Sequence, residues 1–437
     1  MNYEYVDSEI EWTEKSPSHW KKDKLFRLTQ NISSGGTPTS TNPEFYNGDI
    51  FWVQTGDLND GYLTDTSKKI TKYGLDNSSA KIFPKGTLLV AMYGATIGKL
   101  GIMTFDGATN QACCAMNYRK VVDSKYMFYM FLSMKEHLIN KSYGGGQPNI
   151  SQEVIKQEYL YYPPIDEQKQ IANYLDRACE KIENTISIKE QQIDEIDRYY
   201  HSLIYEAVTK GLNKNTDLEN SDIEWIGKYP KHWDIKRLFN ICSFIRGSST
   251  FGKNDLLEHG KYVALQYGKT YKVKEINEQF QFYVNDEFYK SSQVVNYGDT
   301  IFVSTSETME DLGHSVFYNR EDIGLIGGEQ ILLKPNKNIL DEKYLFYSSK
   351  VFGKGLKKFA TGIKVFRFDI YDLKTIYTPI PPIKEQIEIS NYLETTSLKI
   401  SSMKKNIESQ IQTLKDYRKS LIFECVTGKK QIYKGEI

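Results

Sequence analysis

The sequence predicts a mixed α/β protein made by internal duplication. Two globular domains are joined by two long antiparallel helices that form a coiled coil about a pseudo-twofold axis. Three internal echoes carry this reading. PPIDEQKQIANYLDRACEKI (163–182) returns as PPIKEQIEISNYLETTSLKI (381–400), with 11 of 20 positions identical at an offset of 218. EIEWTEKSPSHWKKDKLFRL (9–28) resembles DIEWIGKYPKHWDIKRLFNI (222–241) at an offset of 213, and IYEAVTKGL (204–212) resembles IFECVTGKK (422–430) at 218. Each copy is a lead-in segment, a middle region and a long helix. The boundaries read as 1–162 for the first lead-in and domain, 163–212 for the central helix, 213–380 for the second lead-in and domain, and 381–437 for the last helix. So long a period is not that of a solenoid.

The repeated helix opens at Pro163–Pro164, because proline suits a first helical turn. Asp166, Glu167 and Glu385 place acids where the helix dipole favours them. Apolar residues then recur at spacings of three and four. The expected interface is Ile171, Leu175, Ile182, Ile193, Ile196 and Leu203 in the first copy, interrupted at Lys189. In the second it is Ile389, Leu393, Ile400, Ile407, Ile411, Leu414 and Leu421, with Met403 in the same stripe. Each helix should run about 60–65 Å at ~1.5 Å per residue. Helices of that length need a partner for the stripe, and the other copy is the simplest one.

The middles alternate strand-like runs with Gly, Asn and Asp turns: Ile50–Gln54, Thr87–Tyr93, Tyr262–Gln266, Thr300–Thr305 and Gln330–Lys334. Short helices are expected over Ser124–Leu138 and Asp341–Lys350. The 437 residues are 40% hydrophobic and 26% charged, ordinary for a globular protein of two or three domains. The longest apolar runs, such as Met127–Leu132, are too short to span a bilayer, and the acidic N-terminus is not a signal peptide. Five cysteines without metal or redox spacing indicate a reduced, cytoplasmic chain. Net charge is zero, yet residues 15–162 hold 17 bases to 12 acids while 163–212 hold 6 to 10. A local basic face is compatible with that pattern.

Catalytic chemistry is hard to find. YGATIG (93–98) lacks the spacing and lysine of a phosphate loop and reads as a turn. PIDEQK (164–169) offers acids and a lysine as a nuclease would, but its echo is PIKEQI. His19 and His232 lie in a repeated P-x-HW element that reads as a structural clip around tryptophan. Cys113–Cys114 read as buried strand residues. No catalytic or metal-binding residue is assigned.

Divergent middles on matched frames suggest recognition. Polar side chains in grooves specify bases, while phosphate contacts position the protein. The first domain offers Thr37, Thr39 and Ser40 in a hydroxyl-rich loop, then Gln54, Thr55, Asp57, Tyr93, Asn110, Gln111, Gln147 and Asn149. The second offers Arg246, Ser248, Ser249, Gln266, Tyr267, Lys269, Ser304, Thr305, Ser306, Gln330, Lys364 and Arg367. A solvated loop residue is the plain alternative for each.

With the two PPI-x-EQ-x(2)-I-x-NYL openings, the two W…P-x-HW…L lead-ins and SGGTP…FYNGDIFWVQTGDL in place, the chain resembles the specificity subunit of a type I restriction-modification system. The resemblance covers nearly the whole chain. It implies two target recognition domains, each reading one half of a bipartite asymmetric site on double-stranded DNA, with the helices setting the spacing. It also implies docking of two methyltransferase subunits, joined by translocase-endonuclease subunits, and no membrane. This chain would hold no cofactor. S-adenosylmethionine, ATP and Mg would belong to the partners, which together form an adenine-N6 DNA methyltransferase and restriction endonuclease. The segment 246–271 lacks the TP…W…D pattern of the first half, so contacts do not transfer between halves. Two other readings stay open: a stand-alone DNA-binding or architectural protein, which should be more basic, and an enzyme with an unrecognised site.

Overall fold

The computed structural model describes residues 3–143 and 148–432. The chain forms two compact units, Met1–Glu190 with Glu408–Ile437, and Gln191–Ile407. The sequence boundaries set the helices apart from the domains. The compact units instead divide each helix, so that each unit holds one domain and part of both helices.

In the first unit a lead-in hairpin pairs Tyr5–Asp7 with Lys15–Pro17. Strand Lys21–Lys24 then pairs antiparallel with Tyr159–Tyr162, which closes the domain where the central helix begins. Between them lie two sheets. The five-stranded sheet has the order Thr29–Ser34, Cys113–Tyr118, Leu88–Ala91, Leu100–Met103, Gly61–Leu63. The four-stranded sheet has the order Lys69–Ile70, Tyr46–Val53, Gly107–Thr109, Ile82–Phe83. Val53 and Phe83 of the smaller sheet meet Leu89, Ala91, Cys113 and Ala115 of the larger in one buried cluster. Leu88–Ala91 is apolar at every position because its other face is covered by helix Ser124–Ser133. Asp123 caps that helix by accepting from the Lys125 and Tyr126 N–H groups, each at 3.0 Å. The helix breaks at Met134 and resumes as Lys135–Asn140, where the sequence suggested one continuous element.

The second unit repeats this plan strand for strand. Its larger sheet has the order Cys242–Arg246, Gln330–Pro335, Thr300–Val303, Ser315–Tyr318, Glu275–Ile276. Its smaller sheet has the order Tyr283–Val284, Tyr262–Leu265, Gly324–Ile326, Val294–Val295. The middles, which scarcely resemble each other in sequence, therefore share one topology. Phe302, Ile331 and Leu333 on the outer face of the larger sheet pack with Tyr344, Leu345 and Phe352 of helix Glu342–Phe352. Ile204, Ala207 and Val208 from the end of the central helix complete the cluster, with Ile389 and Leu393 from the start of the last.

The long helices span Ile165–Lys210 and Ile383–Val426, of 46 and 44 residues. They pair antiparallel within each unit. In the first, Glu183 meets Arg418, Lys189 donates to Gln410 at 2.5 Å, and Lys430 donates to the Tyr174 hydroxyl at 2.8 Å. In the second, Lys404 meets Asp197 at 2.6 Å. Ile171, Leu175, Ile182, Ile389, Leu393, Ile400, Ile411 and Leu421 are buried. Ile193, Ile196, Leu203, Ile407 and Leu414 are half-buried, and Met403 is exposed. The expected uniform seam is corrected accordingly. Ile389 and Leu393 are deeply buried because they also join the core of the second domain, while Ile193, Ile196 and Ile407 near the middle are only half-covered. Gly211 and Gly428 follow the last turns at φ +77° and +75°, the left-handed backbone that stops a helix. A Cβ at Gly211 would lie 3.0 Å from the Trp233 ring, and one at Gly428 would lie 2.4 Å from Pro17. No helix among the described residues is long and apolar enough to cross a membrane.

Candidate nucleic-acid interface

The repeated motif fixes each domain to its helix by the same bonds. Trp20 donates its indole N–H to Glu167 at 3.0 Å, and His19 Nε2 lies 3.0 Å from the other oxygen. Trp233 donates to Glu385 at 2.9 Å with His232 Nε2 at 2.9 Å. The glutamine that follows is buried in both copies. Gln168 donates to the carbonyls of Val121 and Pro163 and accepts from the Asp123 N–H. Gln386 does the same with Ile339, Pro381 and Asp341. The Glu-Gln pair is thus a mechanical joint, which the sequence offered only as dipole-favoured acids.

At one end of each sheet pair the connecting loops form a rim. In the first domain Gly36 N–H donates to the Thr109 carbonyl at 2.9 Å, Asn110 N–H to Val53 at 2.9 Å, Met92 N–H to Ala112 at 2.9 Å and Ile150 N–H to Met92 at 2.7 Å. A Cβ at Gly35 would fall 1.8 Å from the Thr109 oxygen, so the double glycine lets the loop cross that strand closely. These bonds bring 34–40, 54–57, 92–93, 110–112 and 149–152 together. The second rim repeats them: Ser304 N–H donates to Glu329 at 3.0 Å, and Phe368 N–H to Ser304 at 3.2 Å.

On the first rim Thr37, Thr39, Ser40, Gln111 and Asn149 are exposed, and Gln54, Thr55, Tyr93 and Asn110 are half-buried. Thr37 donates to the Gln111 side chain, joining two expected contacts. Asp57 does not fit a base-reading role. One carboxylate oxygen accepts from the Gln54 N–H at 2.8 Å and the other from the Ser67 N–H at 3.0 Å, so it holds its own turn. Gln147 lies outside the described residues.

On the second rim Arg246, Ser248, Lys364 and Arg367 are exposed. Gln266 caps the short helix Tyr267–Thr270 by accepting from the Lys269 N–H at 3.2 Å, and Lys269 Nζ lies 4.3 Å from the Phe282 ring centre. The Tyr267 hydroxyl donates to the Thr305 carbonyl at 3.4 Å. Ser249, Ser304, Thr305, Ser306 and Gln330 are buried and cannot meet a groove in this conformation. Gln330 opens a strand whose fully apolar Ile331–Leu333 is buried, and the glutamine is drawn inside with it.

Charge divides the halves. Residues 343–368 contain seven bases and no acid, a signal that counting over whole domains hid. Lys350 donates to the Ser315 carbonyl, and burial together with Lys274 pulls it down to about 7. His314 Nε2–H donates to the Val273 carbonyl at 2.8 Å, and the ring is drawn down to about 4 by burial, then by Lys350. Burial and Lys274, Lys354 and Lys350 also lower His201. Among the described residues no group of three or more His, Cys, Asp or Glu side chains is placed to hold a metal.

The fold therefore defines a class of duplicated two-domain proteins, with like frames carrying unlike rims. The family model described as type I restriction modification DNA specificity domain matches residues 17–198 and 230–413, once per copy, and the chain belongs to that family. It is 24% identical over 432 residues to the MjaIX specificity subunit of Methanocaldococcus jannaschii, covering 96% of this chain and 95% of that one. It is 25% identical over 211 residues to the EcoKI specificity subunit of Escherichia coli, covering 46% and 44%. A chain solved in work on complex assembly and conformational transition of the type I R-M system superposes with a TM-score of 0.72 at 15% identity, covering 96% and 100%. The HsdS subunit of Thermoanaerobacter tengcongensis gives 0.53 at 16% identity, covering 95% and 98%.

Proposed function

We propose that this chain is the non-catalytic specificity subunit of a type I restriction-modification complex. Each domain reads one half of a bipartite, asymmetric site on double-stranded DNA. The helices set the spacing between the half-sites and dock methyltransferase subunits. The observation that carries this is the pairing of matched frames with unmatched rims: Gln168 and Gln386 make the same three bonds, while one rim exposes Thr37, Gln111 and Asn149 and the other exposes Arg246, Lys364 and Arg367. Identical joints suit two copies of one methyltransferase, and different rims suit two different half-sites. S-adenosylmethionine, ATP and Mg would be held by the methyltransferase and translocase-endonuclease subunits, in the cytoplasm.

The test is methylome sequencing of a methylation-free host that expresses this chain with its neighbouring methyltransferase gene. That gene alone is the control. A gapped, two-part N6-methyladenine motif that needs this chain is the expected result. A soluble complex without modification would favour a regulatory DNA-binding protein, and no complex would overturn the docking role.

A further inference from the structure

The second domain carries an apolar tip on its rim. Thr361 and Arg367 exchange backbone hydrogen bonds at 3.0 and 2.9 Å, and Phe366–Arg367 pairs antiparallel with Thr305–Ser306. The hairpin is thereby rooted in buried structure. Gly362 turns it at φ +108°, where a Cβ would lie 2.0 Å from the Val365 carbonyl oxygen. The residue so presented is Ile363, 95% exposed, with Val365 beside it at 39%. The next most exposed large hydrophobic among the described residues is Tyr371, at 72%. Single exposed apolar side chains are ordinary on a protein surface; Ile363 differs in standing on a turn whose stem is hydrogen-bonded to buried structure, which holds it out in one place.

Its surroundings favour a polyanion. Of the seven bases in 343–368, five precede the hairpin and two, Lys364 and Arg367, lie on it. Lys343 pairs with Glu394 and Lys350 is bound to the Ser315 carbonyl, which leaves Lys354, Lys357 and Lys358 beside those two. Lys364 and Arg367 are exposed, and among the described residues neither has a carboxylate within ion-pair reach. A protein surface would have to bring acids to a single apolar side chain, whereas duplex DNA offers phosphates on both sides of an apolar feature. Thymine methyl groups and opened base steps both accept aliphatic side chains. The first rim makes the comparison. Tyr143 and Asn149, each 218 residues earlier, exchange the same bonds at 3.2 and 3.0 Å, but the sequence between them is Gly-Gly-Gly-Gln-Pro, without a large apolar side chain.

We infer that Ile363 is a specificity-determining contact to the bases of the second half-site, with Lys364 and Arg367 taking the flanking phosphates. This rests on the DNA-specificity reading above. The experiment uses the full chain in complex with its methyltransferase, as wild type, I363S, I363V and K364A/R367A, read by methylome sequencing, by DNA binding across a salt series and by assembly of the complex. I363S should lose about tenfold in discrimination at one or two positions of one half-site, the scale of a good base contact. The other half and assembly should be unchanged, and I363V should retain discrimination. K364A/R367A should weaken all sites alike and lower the salt slope by about 2, roughly one per phosphate contact. An I363S motif identical to wild type would overturn the inference. So would weakened assembly with an unaltered motif, which would assign the tip to a protein contact. Absence of any gapped motif with the wild-type chain would instead overturn the DNA reading, and this inference with it.

Discussion

The Tyr126 hydroxyl donates to the Val426 carbonyl at 3.1 Å, across 300 residues of chain, inside the first unit. The Tyr344 hydroxyl shares its one proton between the Val208 carbonyl at 3.2 Å and the Pro379 carbonyl at 3.0 Å inside the second. Both pairs differ by 218, the offset of the repeated helix. Each domain therefore receives the end of the other copy's helix, and the last-turn carbonyl that a helix cannot satisfy itself is met by a tyrosine from the domain.

Removing either hydroxyl tests this bond. Tyr126→Phe and Tyr344→Phe should each cost about 1–2 kcal/mol, because a buried carbonyl loses its donor while the ring still fills its space. Denaturant unfolding of both variants checks it. The Tyr344 change should be the costlier, since that hydroxyl serves two acceptors.

The joint at the helix start carries a stronger expectation. Gln168→Ala leaves the Asp123 N–H and the Val121 and Pro163 carbonyls without their partner. The cost should be about 3 kcal/mol at about 1 kcal/mol per lost bond. Gln386→Ala should match it, and a thermal melt of each variant is the measurement. A cost at one joint and none at the other would break the equivalence of the two copies.

Much of this organisation was legible in the sequence because duplication makes a chain its own comparison. The echoes at 163 and 381 place the starts of both long helices to within two residues, while the expected 381–437 overruns the last helix, which ends at Val426. The rims were less legible. Ser304, Thr305 and Ser306 read as recognition side chains at the end of the strand-like run Thr300–Thr305, yet Thr305–Ser306 is a separate buried strand under the hairpin that ends in Arg367. That burial depends on tertiary pairing 62 residues away, which local pattern does not encode. Asp57 looked like a reader because its use as a turn anchor requires knowing that Ser67 N–H comes to it.

The helix stripe also separates into two kinds of position. Leu175→Asp and Leu393→Asp would put a charge where the side chain is fully buried. Each should cost more than about 3 kcal/mol and could prevent folding. Met403→Asp, at a residue 57% exposed in the same stripe, should change stability by less than about 0.5 kcal/mol, as surface substitutions do. Chemical denaturation of the three variants checks the contrast, and a native-like melt for Leu393→Asp would mean that its cluster is not packed.

Acid should destabilise the second unit through His314. Its folded value of about 4 lies below the ordinary 6.5 because burial, and then Lys350, oppose its charge. The unfolded chain therefore binds the proton first. The penalty is absent above 6.5 and grows as pH falls toward 4, reaching on the order of 3 kcal/mol. Lys350, drawn down to about 7, extends the same sign upward: stability keeps rising between about 7 and the ordinary lysine value. Melting temperatures from pH 4 to 9 for wild type and His314→Gln check this, since the variant should flatten the acid limb while leaving the rise above 7.

The modular reading makes the last prediction. Strand Lys21–Lys24 pairs with Tyr159–Tyr162 at the base of the first domain, and Gln168 with Glu167 secures the helix beyond it. An exchange of residues 29–157 for those of another family member keeps this base and the Glu167 clip, and the two partners of Gln168 inside the exchanged segment, Val121 and Asp123, contribute backbone groups that the incoming domain supplies in turn. The chimera should assemble with the same methyltransferase and methylate a motif in which one half is new and the other half and the gap are kept. Methylome sequencing reads both halves at once. A change in both halves would mean that the two rims do not read DNA independently, and a changed gap would mean that spacing depends on the domains as well as on the helices.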